Sequence, residues 1–160
     1  MKLKNIIILI MLLCSNVTFS QLNSGILPYN DKTEKVEWSG TIIKNNQSKT
    51  ELHSKLATWG ISKAQEVIAN DKENGILKIK LVMSFKFHSS VFNMLYSATL
   101  ISYDDSLKYV MTDCILIKDF IGIKKQRPFE LIDPKDKDFI KPFHEIVDKM
   151  NRLLLELQDL

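Results

Sequence analysis

Apolar and polar residues alternate without a break over residues 76–87. Leu77, Ile79, Leu81, Met83, Phe85 and Phe87 fall on one side, and Ile76, Lys78, Lys80, Val82, Ser84 and Lys86 on the other. A period of two with one apolar and one basic face predicts a strand that is buried on one side and open on the other. A slip of one residue would turn the whole apolar set toward water, so the register is firmly set. A strand this long also predicts a bent sheet.

The same period continues on both sides of this segment. Residues 64–70 read as a shorter strand, and the DKENG sequence of residues 71–75 supplies a turn. Asn74 and Gly75 both tolerate positive φ, which signals a hairpin. Residues 91–103 form another long strand, with Phe92, Met94, Tyr96, Ala98 and Leu100 on its more apolar face. Asp104, Asp105 and Ser106 make a tight turn. Residues 107–118 follow and become apolar on both faces, as suits a central strand. The result is a four-stranded meander. Upstream, residues 36–43 (VEWSGTII) read as a further strand with Val36, Trp38, Gly40 and Ile42 on one face.

Two segments change to helical spacing. Ser48 and Glu51 have the spacing of a capping box, and Leu52, Leu56 and Trp59 recur on one stripe behind it. The pattern predicts a helix over residues 49–59, closed by Gly60. Residues 139–160 form a second helix with Phe139, Phe143, Ile146, Val147, Met150, Leu153, Leu154 and Leu157 on its apolar stripe. Asp138 is its expected cap, and Pro142 falls within its expected first turn. Residues 119–137, with Gly122, Pro128 and Pro134, read as a long mixed loop. The elements predict an α+β fold in the order β-α-β-β-β-β-α, a curved five-stranded antiparallel sheet with two helices on one face.

In this order the chain resembles a family of exported bacteroidete proteins described as a domain of unknown function with a TATA-binding-protein-like (TBP-like) fold. Four pieces carry the resemblance: the strand ending near Gly40, Thr41 and Ile42; the helix SKTELHSKLATW with Leu52 and Trp59; the segment AQEVIANDKENGILKIK; and the strand pair around SATLISYDDSLKYVMTD. Together they span residues 36–119. The turn Asp71-Lys72-Glu73-Asn74-Gly75 matches the family's DKE-small-Gly pattern. The bulky residues and lysines after it depart from the glycine-rich strand common in members. The resemblance implies a single TBP-like half in residues 36–160. It brings no activity and no catalytic residues. TATA-binding protein itself uses two such units to form a DNA saddle, but fold analogy alone assigns no function.

The first twenty residues alter the reading of compartment and charge. Lys2 and Lys4 precede an apolar run over residues 6–13, and Thr18 and Ser20 stand at the −3 and −1 positions before Gln21. This is the form of a secretory signal peptide, too short to span a bilayer. Leu13 before Cys14 departs from the lipoprotein pattern, so cleavage after Ser20 is expected in place of lipidation at Cys14. Residues 21–35 then read as a polar N-terminal arm. The whole chain carries 22 Lys and Arg against 19 Asp and Glu. Without Lys2 and Lys4 the net charge falls to +1. An exported, near-neutral chain is not expected to bind nucleic acid. Only Cys114 remains in the mature chain, within the strand-like run TDCILI, and it is expected to be a buried, inert thiol.

Candidate chemistry is sparse. His53, His88 and His144 lack any metal-ligand spacing and are expected on the surface, so no metal or cofactor is expected. Asp104 and Asp105 read as turn residues bonded to their own backbone. No nucleophile-elbow, phosphate-loop or dinucleotide motif is present. What remains is the open sheet face. Lys78, Lys80, Lys86, Thr99 and Asp113 are the candidate ligand-binding residues, joined by Asn93, Ser97, Tyr103 and Tyr109. Asp113 is placed there on the premise that Val110, Thr112, Cys114 and Leu116 face the helices. The expected function is a non-catalytic binding domain of the periplasm or extracellular space. It would engage an envelope protein, a peptide or a small ligand. Two alternatives stay open: a self-associating envelope protein, as a homodimer, and a hydrolase using the 119–137 loop as a lid.

Overall fold

The computed structural model describes residues 27–87, 90–120, 123–131 and 137–160. Strands β1 (Tyr29–Asn30) and β2 (Lys35–Val36) form a small antiparallel hairpin, so the end of the expected arm is folded. Strand β3 (Trp38–Ile43) leads to helix α1 (Lys49–Lys63). Strands β4 (Glu66–Asp71), β5 (Ile76–Phe87), β6 (Ser90–Tyr103) and β7 (Ser106–Phe120) form the expected meander. Then come β8 (Ile123–Pro128), a short 3-10 turn (Phe129–Leu131) and helix α2 (Lys137–Asp159). The class is the expected one: a mixed α+β domain with a curved antiparallel sheet and two helices.

The sheet has six strands in place of five. Its order is β3-β7-β6-β5-β4, and β8 also pairs with β7. The extra strand comes from the segment read as a loop, and the reason is strand length. β7 runs for 15 residues, while β3 pairs only with Ser106–Met111; β8 pairs with Ile115–Phe120 and completes the edge. Residues 132–136 of the expected loop lie outside the described residues.

One face of the sheet is the core. Leu77, Ile79, Leu81 and Phe85 of β5 are buried beside Phe92, Met94, Tyr96, Ala98 and Leu100 of β6. The Phe85 and Phe92 rings stack across the strand pair with centroids 5.5 Å apart. Helix α1 packs on β5 and β6, while α2 packs on β5 and β3. Leu52, Leu56 and Trp59 of α1 and Ile146, Met150, Leu154 and Leu157 of α2 complete the layer. The opposite face carries no helix among the described residues.

Each helix corrects the sequence reading at a boundary. The capping box is present: Ser48 accepts from the Glu51 amide, and the Glu51 carboxylate accepts from the Ser48 amide. Gly60 does not end α1, which runs on to Lys63 with Ala64 as its cap. A Cβ at Gly60 would lie 2.6 Å from Leu77 Cδ2, so this glycine serves close helix–sheet approach. Helix α2 begins at Lys137, which places Asp138 inside it and Pro142 at its sixth residue, beyond the first turn.

Turns show the same economy. Only Gly75 of the DKENG turn has positive φ (70°), and the loop spans four residues between Asp71 and Ile76. The Asp71 carboxylate closes it by accepting from the Asn74 backbone and side-chain amides at 3.0 and 2.8 Å. Asp104 does not bond its own turn: it accepts from the Lys49 amide at 2.8 Å and so caps α1 from a distant hairpin. Asp105 supplies the positive φ of that hairpin (58°).

Candidate functional site

Alternation along three long strands builds the uncovered face. Lys78 of β5 lies directly opposite Thr99 of β6, which faces Val110 of β7, which faces Ser39 of β3. The next row joins Lys80, Ser97 and Thr112. Lys80 also pairs with Glu66 of β4 at 2.6 Å. Lys86 lies six residues farther along β5, about 20 Å away at the usual rise of an extended chain. Lys78, Lys80 and Thr99 therefore form one cluster, and Lys86 stands apart. Tyr103 and Lys108 are exposed on the same face. Ser84 donates to the Asn93 side-chain oxygen at 2.6 Å.

Asp113 does not join them as expected. Between Ser97 and Leu95 of β6, strand β7 carries one residue too many, and Asp113 takes φ 56° at this bulge. The bulge changes the phase of β7. Leu107, Tyr109 and Met111 are buried before it, and Cys114 and Leu116 after it. Val110 and Thr112 therefore do not share the helix-covered face with Cys114 and Leu116. Asp113 forms an ion pair with Lys35 of β2. Tyr109 is likewise displaced from the candidate face. It is buried opposite Gly40 on the helix side, where burial raises its phenol above the ordinary tyrosine value.

Sequence reasoning missed an apolar row. Val82, Leu95, Ile115 and Pro128 lie side by side across β5, β6, β7 and β8 on the uncovered face. Val82 is 44% exposed, and Leu95 and Ile115 are half-buried. The signal is the two-sided apolarity of β7, which in sequence is equally the mark of a central strand. The uncovered face is thus a flat surface with a greasy row between lysines, distinct from a cleft.

The remaining candidates fall elsewhere. His53 is buried, not exposed, and its Nε2 lies 2.9 Å from Asn70 Oδ1. His144 is exposed, and His88 lies outside the described residues. No group of three or more His, Cys, Asp or Glu is placed to hold a metal among the described residues. Cys114 is buried in the core, as expected. Among the described residues no helix is long and apolar enough to cross a membrane.

A six-stranded sheet backed by two helices on one side, with no helix on the other among the described residues, defines the class: a single TBP-like unit. Comparison with solved structures agrees. A TBP-like protein from Parabacteroides distasonis superimposes with a TM-score of 0.67 at 15% identity, over 83% of this chain and 97% of that one. A DUF4468 family protein from Bacteroides ovatus gives a TM-score of 0.63 at 11% identity, over 89% of this chain and 95% of that one. At these identities the likeness shows the fold alone. No family model matches the sequence, and no curated protein matches it.

Proposed function

We propose that the chain is an exported, non-catalytic binding module that holds an acidic protein surface against the uncovered face of its sheet. The observation that carries this reading is the row of Val82, Leu95, Ile115 and Pro128 set between lysines on a face that no described helix covers. A flat apolar strip favours a broad protein surface over a small molecule, which would need a concave site. The exposed Lys78, Lys86 and Lys108 give the face a positive rim, which supplies orientation and encounter rate more than raw affinity. Export rests on the charged, apolar and small-residue order of residues 1–20. A mature N-terminus at Gln21, read by mass spectrometry, is the expected mark of it.

The experiment is site-specific photo-crosslinking in cells of the source. A crosslinker replacing Thr99 captures a discrete protein, and the capture is lost when Lys78, Lys80 and Lys86 are changed to Ser. A crosslinker at Lys55, on the outer side of α1, captures none. Equal capture from both positions, or capture that survives the triple change, contradicts the reading. The self-association alternative predicts that the captured protein is a second copy of the chain. The hydrolase alternative would need a lid other than residues 123–128, which form a strand of the sheet.

A further inference from the structure

The two long flanks of the sheet are finished unequally. β7 is paired by β3 over Ser106–Met111 and by β8 over Ile115–Phe120. β5 has twelve residues, but β4 pairs with it only from Ile76 to Lys80. Beyond that point no described strand lies against the flank of β5 that faces away from β6. The Lys80 carbonyl accepts from the Gln65 amide, so the Lys80 backbone points outward toward β4. Strand alternation then aims the N–H and C=O groups of Val82, Ser84 and Lys86 at the same flank. The contact from Lys149 Nζ to the Ser84 carbonyl oxygen agrees with that direction.

A groove of about 330 Å³ runs beside this bare edge. Leu81, Met83 and Tyr96 form its floor, and Leu153 stands on its α2 wall. Among the described residues lining it, Lys63, Lys149 and Arg152 outnumber the one acidic residue, Glu156. Lys63 holds Glu156 at 2.6 Å, and Trp59 Nε1 donates to the same carboxylate at 3.2 Å. Arg152 has no carboxylate partner within 4 Å among the described residues. A backbone row that no described strand pairs, beside a helix-walled groove, is the geometry of strand addition, in which main-chain bonds give affinity and side-chain pockets give selectivity.

We propose that the bare half of the β5 edge takes an extended acidic peptide segment of another protein as an added strand. Its alternate side chains enter the groove between β5 and α2. Charge selects the occupant: an acidic side chain entering the groove meets Arg152 and Lys149, whereas a basic one meets the same two cations. Lys149 would leave the Ser84 carbonyl, and a peptide N–H would replace it. This groove meets the uncovered face at Val82, whereas Arg152 belongs to the groove alone, so Arg152→Glu disturbs strand addition and leaves the lysine face intact.

The test uses fluorescein-labelled heptapeptides of alternating valine and glutamate, or valine and lysine, with blocked ends. Binding is read by fluorescence anisotropy on the mature chain. The acidic peptide is expected to bind at least about tenfold tighter than the basic one. Arg152→Glu reverses that order. Ser84→Pro removes an outward N–H that β6 does not use, so the sheet survives while peptide binding falls at least about tenfold. Lys55→Ser, on the outer side of α1, is the control and leaves binding intact. Circular dichroism checks each variant's fold, and an acidic peptide N-methylated on alternate residues repeats the edge test without mutation. Equal binding of the two peptides, no binding of either, or an Arg152→Glu variant that keeps the acidic preference overturns the proposal. So does protection of the Val82 and Lys86 amides from hydrogen exchange in the free chain, which would mean that the edge is already occupied.

Discussion

Lys78 and Ile79 are neighbours in the chain and stand on opposite faces of the same strand. Ile79 is fully buried under the helices, while Lys78 is exposed on the bare side. The covered face is uniform: large apolar side chains in register on β5, β6 and β7, crossed by two helices. The bare face is mixed, with lysines, short polar residues and one apolar row. The contrast teaches that apolar content alone does not mark a core. Val82 and Leu95 are as apolar as many core residues, yet no helix lies over them among the described residues. What marks the core is a second layer able to close over the row.

The largest test of this contrast pairs two truncations. Ile79→Ala leaves a cavity in the covered layer and is expected to cost about 3 to 4 kcal/mol. Val82→Ala, three residues on, is expected to cost under about 0.5 kcal/mol. Urea denaturation followed by tryptophan fluorescence measures both. Similar losses would erase the distinction between the faces. Next in size is Gly75→Ala. Gly75 sits at φ 70°, and a Cβ there would meet the Ser102 carbonyl oxygen at 2.7 Å. A loss of about 2 kcal/mol is expected.

Alkaline pH probes the covered face without mutation. Burial pushes the Tyr96 phenol well above its ordinary value of 10. The folded state therefore keeps a proton that the unfolded state sheds. The stabilisation is complete below about pH 10 and is lost as pH rises, by up to about 1.4 kcal/mol per unit. Tyr96→Phe is expected to flatten that decline, and an unchanged slope would place the phenol in water. Asp104→Ala removes the distant cap of α1 and is expected to cost about 1 kcal/mol in the same assay. Lys78→Ser closes the series with a change within about 0.5 kcal/mol, since an exposed lysine on a bare face supports no packing.

Much of the fold was legible because alternation is a local signal. The bounds of β5, the buried faces of β5 and β6, the capping box and the apolar stripe of α2 all follow from residue spacing. The errors sit where a distant partner decides. Gly60 reads as a helix end, but Leu77 across the interface requires a glycine there. Asp104 reads as a turn residue, but α1 borrows its carboxylate. The bulge at Asp113 is invisible to a period of two, and it moved Tyr109 into the core and sent Asp113 to Lys35. His53 was read as exposed because the helix stripe was drawn through Leu52, Leu56 and Trp59 alone, without Asn70 on β4. The candidate face was legible as a lysine face, and its apolar row was not. The bare edge had a signal that went unused: a six-residue strand cannot cover a twelve-residue neighbour.

The direct test of a one-sided sheet is thiol labelling of two single variants, Lys78→Cys and Ile79→Cys, in a background in which Cys114 is replaced by Ala. The first thiol is expected to react with a soluble aromatic disulfide as fast as a free cysteine, and the second only as fast as the protein unfolds. Equal rates, or fast labelling at position 79 with protection at position 78, would contradict the architecture on which the binding face and the strand-addition edge both rest.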